Sequence, residues 1–144
     1  MPQAAPANPA SALFQIVGEV RSKRVLIIGS GALNIMCALL RRGAAAATLL
    51  RQGVRPEQHT ADLAIAIEIG SEDRAVSAIA HARRALATSG RIILVTAIDP
   101  TRRLAEAAAR TLRLNGFSAV RIRTIGDHAL VAGEFAGFGA AAHG

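Results

Sequence analysis

The stretch RVLIIGSGALNIM, from Arg24 to Met36, runs from a solid apolar segment through Gly29, Ser30 and Gly31 into residues of helical period. A strand, a glycine turn and a helix in that order bring backbone N–H groups and the positive end of a helix dipole to one point. Such a point suits the phosphates or ribose of a nucleotide. Gly29-x-Gly31-x-x-Asn34 also approximates the dinucleotide fingerprint, with Asn34 where a small residue is wanted for helix packing. Arg51 closes the next apolar segment, and a guanidinium there suits a 2′-phosphate. Glu68 stands at the end of LAIAIEI with Ser71 after it, and a carboxylate is a group able to orient an acceptor or take its proton. Glu68 is therefore the candidate catalytic group. The ordinary roles are the commoner ones: a solvated carboxylate at a strand end, and a serine capping the next helix.

Other chemistries find little support. His59, His81, His128 and His143 share no ligand spacing and there is one cysteine, Cys37, so no metal is expected. Met36 and Cys37 fall on the helix after the glycine turn, where burial is the ordinary explanation. No apolar run approaches the roughly 20 residues of a membrane span. The opening MPQAAPANPASA lacks a basic n-region and a long apolar h-region, so no signal peptide is expected and the location expected is cytoplasmic. The net charge of +7 rests almost wholly on arginine, with Lys23 the single lysine. Nucleic acid is nevertheless disfavoured. The arginines are scattered in pairs such as Arg41-Arg42 and Arg83-Arg84, and no aromatic residues are interleaved for base stacking.

The elements that must position these residues can be read from period and punctuation. Residues 1–10 and 136–144 are expected as flexible tails around a single domain, 11–135. Ser11 is placed to cap a helix bearing Leu13, Ile16, Val17 and Val20. RVLIIG is a strand buried on both faces, ALNIMCALLRRG a helix stopping at Gly43, and AAAATLL a second strand. RQGVRPEQHT is a loop too short for a further helix and strand. ADLAIAIEIG is a third strand, with Asp62 at its start as an ordinary turn residue. A helix capped by Ser71 should bury Val76, Ile79 and Leu86. SGRIILVTAI is a fourth strand, and Asp99 with Pro100 should open the next helix, which ends at Asn115-Gly116. Two closing strands flank the hairpin signal Gly126-Asp127. Strands alternating with helices define a three-layer α/β/α open sheet of about six strands. It is mostly parallel, with a C-terminal antiparallel hairpin.

Three stretches in this order resemble the class I S-adenosylmethionine-dependent methyltransferases. VLIIGSGAL looks like that family's strand and Gly-x-Gly turn, LATSGRIILV like its helix-turn-strand segment, and LRLNGFSAVRIRTIGDHALVAGEF like its closing helix and antiparallel pair. The resemblance covers most of residues 24–135. It implies a Rossmann-like sheet, seven-stranded in the family, with the methyl donor across the carboxyl ends of the first, second and fourth strands. It places Gly29, Ser30 and Gly31 against the donor, Glu68 and Ser71 across the crevice, and Arg51 at its rim.

The departures from that pattern carry as much information. Leu33 stands where the family has a third glycine, so a branched side chain there should narrow the approach. Arg51 replaces the acid whose two oxygens accept from the ribose hydroxyls. The family's third strand and its flanking helices have no counterpart between Gln52 and Ala61. The expectation is thus a reduced or non-catalytic methyltransferase-like domain that binds S-adenosylmethionine or a related nucleotide at Gly29–Gly31. An active small methyltransferase and an NADP-binding domain are the alternatives. A scaffold acting through a homodimer or a larger protein complex is the other, since AAAATLL would become an open sheet edge.

Overall fold

The computed structural model describes residues 9–29, 33–51, 53–97 and 101–136. In chain order the elements are α1 (Pro9–Val17), β1 (Arg24–Ile28), α2 (Leu33–Arg41), β2 (Ala46–Leu49), β3 (Ala61–Ile69), α3 (Glu72–Ala85), β4 (Leu86–Ala97), α4 (Arg103–Leu114), β5 (Phe117–Ile125) and β6 (His128–Phe135). The strands form one six-stranded sheet in the order β2-β1-β3-β4-β6-β5. β2, β1, β3 and β4 run parallel, and β6 lies antiparallel between β4 and β5. The fold class expected from sequence is the one observed.

Continuous β-branched runs form the central strands because both of their faces are covered. One face carries Leu26, Ala64, Ala66, Ile92 and Leu94 under α3 and α4. The other carries Val25, Ile27, Leu63, Ile65, Ile93 and Val95 under α1 and α2. The helix faces toward the first layer are largely alanine: Ala75, Ala78, Ala82 and Ala85 of α3, and Ala105, Ala108 and Ala109 of α4, are all buried. Small side chains let these helices sit close to the sheet, and Ile79 and Leu112 fill the remaining depth.

Several boundaries differ from the sequence reading. α1 begins at Pro9, so Ser11 lies within the helix. Val76 is 52% exposed and not on the buried stripe, because the alanines take the sheet-facing positions of α3. Leu86 is buried, but as the first residue of β4. β4 therefore starts before the expected SGRIILVTAI. Leu86 pairs with Ala61 and Arg91 with Leu63, so residues 87–90 loop out opposite the single Asp62. α4 begins at Arg103, after Arg102 in the left-handed region, and not at Pro100. Asp99 and Pro100 lie outside the described residues.

Candidate functional site at the carboxyl ends of the strands

The chain leaves β1 toward β2 on one side and returns to β3 on the other. In an open parallel sheet that reversal is the topological switch point, and the crevice outside the carboxyl ends there is where ligands bind. The four parallel strands bring Gly29, Arg51, Glu68 and Ser71 to this one end of the sheet. Ser30 and Gly31 lie outside the described residues.

Gly29 follows β1 with φ +123°, a conformation open essentially to glycine alone. The space a side chain would need is also taken. A Cβ at 29 would stand 2.6 Å from the Ile67 carbonyl oxygen and 2.8 Å from its Cγ1. β1 and β3 thus close on each other just where the turn begins, and both backbone freedom and close approach require glycine. Beside this contact Glu68 has φ +57°, on the segment where the β3–β4 register shifts between Ala66 and Ile69. A non-glycine residue held there stores about 1–2 kcal/mol, and bulges with such residues recur beside active sites because they re-aim a side chain. Glu68 is exposed.

Arg51 is exposed at the carboxyl end of β2, which Leu50 extends by donating its N–H to the Ile27 carbonyl at 2.8 Å. The Arg51 carbonyl accepts from Val54 N–H at 3.1 Å, so the chain turns away immediately after the strand. Leu33 opens α2 and is 63% exposed, so its side chain is not packed into the protein interior. Ser71 is the N-cap of α3, its hydroxyl accepting from Arg74 N–H at 3.2 Å. The ordinary role of Ser71 is realised. His128 sits opposite Ala97 at the carboxyl end of β4, half-buried.

Asp62 is at the other end of the sheet and is more than a turn residue. Its Oδ2 accepts from Arg24 N–H at 2.8 Å and Nε at 3.1 Å, and its Oδ1 accepts from Nη2 at 3.0 Å. The Arg24 guanidinium hydrogen bonds hold the Asp62 carboxyl below its ordinary value, against a smaller opposing effect of burial. This pair joins the amino ends of β1 and β3 and is structural.

Two arginine features escaped the sequence reading. Arg91 at the looped-out start of β4 donates to the carbonyls of Val17 at 3.1 Å and Ile16 at 3.2 Å, satisfying the C-terminus of α1. Arg121 and Arg123 stand two apart on one face of β5, at the rim of a groove of about 810 Å³ floored by Leu130 and Ala132. The alternation VRIRT carried that signal in sequence. Among the described residues no group of three or more His, Cys, Asp or Glu is placed to hold a metal. The His59 ring Nδ1 lies 3.1 Å from the Leu86 carbonyl. No helix among the described residues is long and apolar enough to cross a membrane.

Sheet order, switch point and antiparallel β6 define a doubly wound, Rossmann-like α/β fold. More particularly, the chain has the class I S-adenosylmethionine-dependent methyltransferase fold. A structure of an S-adenosylmethionine-dependent methyltransferase from Mesorhizobium loti matches 86% of this chain and 96% of its own, with TM-score 0.69 and 16% identity. A S-adenosylmethionine-dependent methyltransferase from Aquifex aeolicus matches 90% of this chain and 91% of its own, with TM-score 0.70 and 11% identity. PigF with S-adenosylhomocysteine matches at TM-score 0.62 and 18% identity; this chain spans 53% of that one. No protein-family model matches the sequence, and no curated protein matches it significantly. At these identities the likeness is one of fold.

Proposed function

We propose that this chain is a reduced methyltransferase-fold domain that binds S-adenosylmethionine or a related nucleotide at the Gly29–Gly31 turn without turning it over efficiently. The observation that carries the reading is Gly29, which leaves β1 at the switch-point crevice with φ +123°, a backbone essentially only glycine adopts, so the turn there is built without a side chain. A neighbouring fold with S-adenosylhomocysteine supports the class of nucleotide. Methyl transfer needs little from the protein beyond aligning sulfonium and acceptor, so losing alignment loses most of the rate. Here the wall that aligns the ribose is altered. Arg51 offers no acceptor to ribose hydroxyls, and the chain between Arg51 and β3 contributes no helix among its described residues.

Calorimetric titration with S-adenosylmethionine, S-adenosylhomocysteine and NADPH tests this. Weak, saturable binding of the two sulfur nucleotides is expected. NADPH binding lost on Arg51→Glu would instead favour the dinucleotide reading, for which the exposed Arg51 is the specific support. Silence from all three would remove the nucleotide assignment.

A further inference from the structure

The two edges of the sheet are built differently. β5 is guarded: Arg121 and Arg123 are exposed along it, and a register shift lies between Ser118 and Arg121, with Ala119 at φ +53°. Charges and bulges of this kind are how proteins keep a sheet edge from pairing. β2 has none of these. From Ala44 to Leu50 the chain carries neither a charge nor a proline, and Leu49 is 41% exposed.

The open edge is also self-complementary. Ala46 and Leu50 donate their N–H groups toward β1, to the carbonyls of Lys23 at 3.4 Å and Ile27 at 2.8 Å. By alternation, the N–H and C=O groups of Ala47 and Leu49 face away from β1. An antiparallel copy of β2, related by a two-fold axis through Thr48, sets Ala47 against Leu49 of the second copy and Leu49 against its Ala47. These two pairs supply four hydrogen bonds in the closely spaced arrangement of an antiparallel ladder. Each leucine then meets an alanine on the same face, Leu50 likewise lies over Ala46, and Thr48 meets itself on the axis. A register centred on Ala47 would require Ala45, whose N–H is already bonded to the Lys23 carbonyl at 2.8 Å. The antiparallel sense also separates Arg51 from its symmetry mate by about 20 Å, whereas a parallel pairing would stack the two guanidinium groups.

We propose that β2 is a homodimerisation strand, and that two copies of this chain join their sheets antiparallel through Ala46–Leu50 about an axis at Thr48. The pairing is isologous, the commonest form of closed assembly. It is independent of what the crevice binds.

Sedimentation equilibrium tests it on the full chain, with a mass of twice 14.9 kDa expected. Thr48→Glu sets two like charges directly opposite each other at the axis, their Cβ atoms about 4.5–5.5 Å apart, but position 48 is exposed in the monomer, so the variant should give a folded monomer. Ala47→Pro removes an outward N–H without touching a bond to β1 and should do the same. As the positive test, Thr48→Cys in a Cys37→Ser background should form a covalent dimer on mild oxidation. The opposed Cα atoms would lie about 4.5 Å apart, within disulfide reach. Val54→Cys, similarly exposed but off the axis, should cross-link far more slowly. A monomer at every concentration, a dimer indifferent to both Thr48→Glu and Ala47→Pro, or equal cross-linking at 48 and 54 would overturn the proposal.

Discussion

Gly29 and Ile67 meet at the mouth of the sheet so closely that a single added carbon at 29 would stand 2.6 Å from the Ile67 carbonyl oxygen. The contact joins β1 to β3 where the chain reverses its direction of winding. It makes Gly29 a structural residue at the mouth of the candidate crevice. Gly29→Ala should therefore cost about 2 kcal/mol or more in chemical denaturation, from a forbidden φ and a collision with backbone together. The same variant should lose whatever nucleotide affinity the parent shows.

Arg51 offers a gain-of-function test. It is exposed, so Arg51→Glu should leave stability within about 0.5 kcal/mol. A carboxylate in its place supplies acceptors for both ribose hydroxyls, and S-adenosylhomocysteine affinity measured by calorimetry should rise about tenfold, equivalent to ~1.4 kcal/mol.

Ser71 should behave as a cap. Its hydroxyl serves Arg74 N–H at the start of α3, so Ser71→Ala should lower stability by about 1 kcal/mol and Ser71→Asp should restore it. Nucleotide affinity should be unchanged in both. A large affinity loss at constant stability would assign Ser71 to the ligand instead.

The Arg24–Asp62 pair makes an acid-limb prediction. The Asp62 carboxyl is held below its ordinary value, chiefly by the Arg24 guanidinium hydrogen bonds. A depressed folded-state value means the contribution is complete above the ordinary aspartate value near 3.9. It is then lost as pH falls through the lower, folded-state one. Asp62→Asn should flatten that part of the stability–pH curve, read by urea denaturation between about pH 5 and 2. Because the pair is partly solvated, 47% and 29% exposed in its two side chains, the change should shrink in high salt.

The central strands were legible because RVLII, LAIAI and RIILV leave no choice but burial on both faces, whereas their order in the sheet is set by contacts between distant segments. The hairpin was legible because Gly126-Asp127 separates two runs of β-branched residues. Helix faces were harder. Alanine is neutral to a hydrophobic stripe, so Val76 drew the eye inward while the alanines took the core side of α3. Asp99 and Pro100 signalled a helix start that Arg102 in the left-handed region moves to Arg103. At the candidate site Gly29 was marked by its turn, but the positive φ of Glu68 was not. A glutamate in an alternating strand shows its bulge only when the β3–β4 register is known. The bond from Arg91 to the end of α1 spans 74 residues, beyond any local pattern.

The most direct test of the nucleotide crevice is a chemical-shift titration of the uniformly labelled protein with S-adenosylhomocysteine. Saturable shifts centred on Gly29, Glu68 and the start of α2, with Arg121 and Arg123 unmoved, are the predicted result. Shifts centred on the β5 groove, or none at millimolar ligand, would contradict it.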